Sequence, residues 1–95
     1  MIKVKQTDNK IVITGHAGYD LVGKDIVCSS VSSIVITTVN GILRLEDTII
    51  YSIKDDTFTI KVVKPTKVNK TLINNMLDLL AQLASSYPDN IKIIK

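Results

Sequence analysis

Apolar residues along this chain change their period twice, and that change limits the folds open to it. Ile2 and Val4 alternate with Lys3 and Lys5, the period-2 pattern of a half-buried strand. Asp8-Asn9 supplies a turn, and Ile11 and Ile13 resume the alternation, which predicts a hairpin. A second hairpin is predicted from Ile49, Tyr51 and Ile53 through Asp55-Asp56 to Phe58, Ile60 and Val62. Between Pro65 and Pro88 the period becomes helical. Val68, Leu72, Met76, Leu79, Leu80 and Leu83 form one face, opposite Asn69, Asn74, Asp78 and Gln82. Pro88 ends that helix, and Ile91 and Ile93 read as a short closing strand.

The stretch from Lys24 to Leu43 sets propensity against spacing. Its many β-branched residues favour strand, while Val27, Val31, Ile34, Val35, Thr38 and Ile42 recur on one helical face. Burial routinely overrides propensity, so a helix is predicted, with Ile36 and Val39 off its core stripe as candidate self-association contacts. The order is then β-β-α-β-β-α-β, an α+β fold with two helices packed on a mostly antiparallel sheet. At 95 residues, with 45% apolar content, positions 1–95 read as one domain with a core of its own.

Composition narrows the chemistry. One cysteine and one histidine form no intramolecular disulfide and complete no zinc site, so neither metal nor cofactor is expected. No unbroken apolar run approaches the roughly 18 residues of a bilayer span, and Met1-Ile2-Lys3-Val4-Lys5 lacks a signal-peptide core. The expected compartment is the cytoplasm, with no membrane partner. The net charge of +3 comes from eleven lysines and Arg44. Without a basic block or stacking aromatics, these read as solvated surface, and no direct nucleic-acid binding is expected.

The informative stretch is Gly15 to Ser33, where a glycine-punctuated loop runs from the second strand into the first helix. The loop carries His16 and the helix start carries Cys28. A cysteine nucleophile acts as thiolate, and a neighbouring imidazole supplies base and counter-charge. The first turns of a helix favour the anion further. Each residue also has a plainer reading, Cys28 as a small core residue and His16 as a surface or capping group.

Gly15-His16-Ala17-Gly18, followed by Gly23, Asp25, Val27-Cys28-Ser29 and Ser32, resembles the ribosomal-processing cysteine protease (Prp) family. The length and element order are similar over essentially the whole chain. The resemblance implies a cysteine endopeptidase that removes a short N-terminal extension from a large-subunit ribosomal protein. It implies His16 as general base and Cys28 as nucleophile, with Gly15, Asp25 and Ser32 on family motif positions. It also implies a homodimer and an aromatic residue before the scissile bond. Helical spacing puts Asp25, Cys28 and Ser32 on one face. Asp25 either orients the imidazolium of His16 or merely complements the helix dipole. Ser32 either lines the cleft or bonds back to the carbonyl one turn earlier. Tyr19 either contacts substrate or anchors packing. Gly18 and Gly23 bracket a loop that is either a substrate lid or an ordinary connection. The competing functional reading is a non-catalytic, ribosome-associated binding module.

Overall fold

The computed structural model describes residues 1–15 and 26–94. The elements run β1 (Ile2–Gln6), β2 (Lys10–Thr14), α1 (Ile26–Leu45), β3 (Ile49–Lys54), β4 (Thr57–Val62), α2 (Lys67–Ser86) and β5 (Ile91–Ile94). This is the predicted β-β-α-β-β-α-β order. The five strands form one sheet in the order β3-β4-β2-β1-β5. Every pairing is antiparallel except β1 with β5, which run parallel with Val4 opposite Ile93.

Both helices cover the same face of the sheet, where strand alternation collects Ile2, Val4, Ile11, Ile13, Ile60 and Ile91. From α1, Val27, Val31, Val35, Val39 and Ile42 enter this core, and from α2, Ile73, Met76 and Leu80. The β-branched residues of α1 are thus helical because one stripe of them is buried, an outcome propensity alone does not give. The stripe differs from the predicted one at three positions: Ile34 and Thr38 are only partly buried, and Val39, 2% exposed, belongs to the core and is no self-association contact. Ile36 lies off the stripe as predicted, 44% exposed. Positions 27, 31, 35 and 39 are spaced four apart and, with Ile42, form the buried row of α1. On α2, Leu79 is more exposed than predicted and Ile73 takes a core place instead.

Taken alone, α1 is long and apolar enough to cross a bilayer. An inspection for unbroken apolar runs overlooks it because serines and threonines interrupt the sequence. Its buried stripe makes it the core helix of this fold.

Asn69 departs furthest from expectation. Counted with the polar face, it is 1% exposed. It closes a capping box with Thr66, whose hydroxyl accepts from the Asn69 N–H at 3.1 Å while Asn69 Oδ1 accepts from the Thr66 N–H at 3.1 Å. Its amide also donates to the Lys64 carbonyl at 2.8 Å and to the Thr48 hydroxyl at 3.0 Å. Glu46 Oε2 accepts from the hydroxyls of Thr48 and Thr66 and, at 3.4 Å, from Asn69. Those hydrogen bonds, that from Thr48 first, hold the Glu46 carboxyl below its ordinary value, with Lys64 adding attraction. This polar knot joins the exits of α1 and β4 to the entry of α2. It lies at the far end of α1 from Cys28, about 27 Å away at 1.5 Å per residue.

Candidate active site

Cys28 is the third residue of α1 (Ile26–Leu45), near the positive end of the helix dipole, which favours a thiolate. Its thiol is partly buried and is not in a disulfide. Arg44 stands in the last turn of α1, where a cation suits the helix dipole, and no carboxylate in the first turn competes with a thiolate at Cys28. Ser32 follows Cys28 by one turn on the same side of the helix.

Cys28 and Ser32 line a hollow of about 260 Å³ together with Gly15, from the end of β2. Ile36 continues the helical wall, and Ile53 and Phe58 form the sheet side. The β3–β4 turn contributes Asp55 and Asp56. That turn is a two-residue connection with Asp55 in the left-handed region at φ 54°, a conformation Asp tolerates better than most residues. The Gly15 N–H donates to the Asp56 carbonyl at 3.2 Å, tying the start of the loop to the turn. Gly15 itself has φ +87°, and a Cβ there would collide with the Met1 carbonyl oxygen, so only glycine fits.

Ser32 lines the hollow. Elsewhere on α1, Ser30 bonds back to the Ile26 carbonyl and Thr38 to the Ile34 carbonyl, each at 2.8 Å. His16, Gly18, Tyr19, Gly23 and Asp25 lie outside the described residues. Among the described residues, no group of three His, Cys, Asp or Glu side chains is placed to hold a metal ion.

The apolar wall was hidden in the sequence. Ile53 and Phe58 belong to an alternating hairpin and read as core. Yet Ile53 is 62% exposed, and Tyr51, stacked on Phe58 at 5.6 Å, is 47% exposed. The helices stop short of this end of β3, an edge strand, and leave its inner face open.

The model of the family described as cysteine protease Prp matches residues 1–92. A ribosomal processing cysteine protease Prp from Mycoplasma pneumoniae is 32% identical, over 93% of this chain and 88% of its own length. The chain belongs to the cysteine protease Prp family. It is therefore a cysteine peptidase by membership. The Prp protein of Mycoplasma genitalium is also 32% identical, covering 98% of this chain and 94% of its own. The fold agrees with the Prp family in solved form. An essential ribosomal processing protease Prp from S. aureus, bound to a covalently linked product peptide, superposes with a TM-score of 0.80 at 25% identity. That match covers 98% of this chain and 95% of the other.

Proposed function

We propose that this Prp family member removes a short N-terminal extension from a large-subunit ribosomal protein, with Cys28 as nucleophile and His16 as general base. The observation that carries the assignment is the position of Cys28. It stands at a helix start, in a hollow with an apolar wall, and Gly15, the residue before His16, lines the same hollow. The family name and the ribosomal-processing relatives support the substrate class.

The Cys28 thiolate attacks the scissile carbonyl carbon and forms a tetrahedral oxyanion. Backbone N–H groups of the first α1 turn are the donors suited to that charge. As the intermediate collapses, the C–N bond breaks and the His16 imidazolium gives its proton to the departing amine. The imidazole then takes a proton from water as its oxygen attacks the thioester carbonyl, and the C–S bond breaks to release the carboxylic acid and restore the Cys28 thiolate and His16 imidazolium. Ser32 lines the cleft beside the sulfur, and Asp25 orients His16.

The protein acts as a homodimer. Ile36 and Leu43, seven residues apart on α1, are both exposed and give that helix an apolar strip of its own. Sedimentation at micromolar concentration would show a dimer, and a monomer would refute this point.

The test of the peptidase assignment is incubation with a peptide covering the extended N-terminus of the host ribosomal protein, followed by mass spectrometry. One specific cut is expected, absent with Cys28→Ala and with His16→Ala. An intact peptide, with Cys28 slow to alkylate, would overturn the assignment in favour of a non-catalytic binding module.

A further inference from the structure

The sheet has a second face that neither α1 nor α2 covers. Alternation sends Lys3 and Lys5 of β1, Lys10 of β2, Lys54 of β3, Lys61 of β4 and Lys92 of β5 to that side, and all are exposed. Six of the eleven lysines of the chain thus share one surface, and none of the five strands contains an acidic residue. Register sharpens the arrangement. Lys3 stands opposite Lys92, and Lys10 opposite Lys61. Like charges directly across a strand pair oppose folding, so packing does not account for the pattern. Nor does protection of sheet edges. Lysines on edge strands discourage stray pairing, but Lys3, Lys5, Lys10 and Lys61 stand on the three inner strands.

We infer that this open face docks on the phosphate backbone of duplex RNA. The inference rests on the ribosomal-substrate reading only for the source of that RNA, since a ribosomal protein is met beside ribosomal RNA. Neighbouring lysines stand about 5 Å apart across strands and about 7 Å along them, a grid of point charges suited to phosphates. Tyr51 and Phe58 share the alternation phase of Ile49 and Ile60, so both aromatics belong to the opposite side of the sheet. The described strands therefore offer no platform on the lysine face for stacking unpaired bases, which favours a readout of backbone and shape. Its apolar members, Val12, Ile50 and Ile94, are scattered among Thr, Ser and Lys, which gives no stripe to bury in a membrane. The hollow beside Cys28 is on the helix side, so docking through the lysines leaves it open to peptide. Linear order hides the surface, because each strand supplies only one or two of the lysines; this reverses the expectation of no nucleic-acid contact.

The test is fluorescence anisotropy with a short labelled RNA duplex, run from roughly 50 to 200 mM salt. The wild type should bind with a log–log salt slope of about −0.9 per phosphate contact. Lys3→Gln/Lys5→Gln/Lys61→Gln should weaken binding by about tenfold or more and flatten the slope by roughly 2 to 3. Lys64→Gln/Lys67→Gln/Lys70→Gln removes the same charge from the α2 side and should stay within about twofold of wild type. Thermal melting would establish that both variants are folded. Equal losses in the two variants would overturn the proposal by reducing it to net charge. Absent RNA binding, or a preference for phosphatidylglycerol vesicles, would overturn it as well. A wild type that binds RNA but leaves the ribosomal peptide uncut would uphold this face and count against the substrate reading instead.

Discussion

Gly15 packs against Met1 so closely that a side chain at position 15 would overlap the Met1 carbonyl oxygen. The contact sets the backbone where the loop leaves β2, one residue before His16. Gly15→Ala adds both that overlap and the left-handed cost of a Cβ at φ +87°, about 1–2 kcal/mol for the conformation alone. Urea unfolding should give a lower midpoint. Peptide cleavage should fall by more than the folded fraction does, because the site itself is displaced.

Ile53 offers a cleaner probe of the cleft, since its exposure leaves little packing to lose. Ile53→Asp should raise KM for an apolar peptide roughly tenfold, the loss of about 1.4 kcal/mol of apolar contact, with the melting temperature nearly unchanged. An unchanged KM would remove Ile53 from the substrate wall.

Asn69→Ala tests the distal knot. It strips the Lys64 carbonyl and the Thr48 hydroxyl of a buried donor and removes the Asn69 half of the capping box, leaving the Thr66 N-cap in place. A stability loss of about 2 kcal/mol is expected by denaturant titration. Turnover by the folded fraction should stay near wild type, because the knot is a helix length away from Cys28.

Glu46 gives the same knot a pH signature. Its folded carboxyl titrates below the ordinary value of 4.5, chiefly through the Thr48 and Thr66 hydroxyls. The stability it contributes is present above that ordinary value and is lost as pH falls through the lowered folded value. Wild type should lose melting temperature on acidification more steeply than Glu46→Gln. Parallel curves would show that the carboxylate charge adds nothing.

Much of the fold was legible because period is a strong signal where one face is buried. Ile2, Val4, Ile11 and Ile13 alternate as predicted, and the helical stripe of α1 outweighs its strand propensity. The misreadings share one cause: hydrophobicity does not say what will cover a residue. Val39 and Ile36 look alike in sequence, yet only Val39 faces the sheet. Tyr51 and Ile53 continue the phase of Ile49, but no helix reaches them. Asn69 hides a capping role behind an ordinary polar letter, although the Thr66-x-x-Asn69 spacing resembles a capping box. At the candidate site, Cys28, Gly15 and Ser32 were visible as a motif. The wall of Ile53 and Phe58 facing Ile36 was not, because a hairpin from later in the chain delivers it.

The parallel pairing of β1 with β5 bears on how the molecule is made. Strands β1 to β4 can all pair before residues 91–94 leave the ribosome, but β1 then presents a bare row of N–H and C=O groups along its outer edge. Such an edge is a template for any passing strand. A nascent or truncated chain lacking β5 is consequently more prone to self-association by strand addition, and residues 91–94 replace the β1 edge with that of a shorter, four-residue strand.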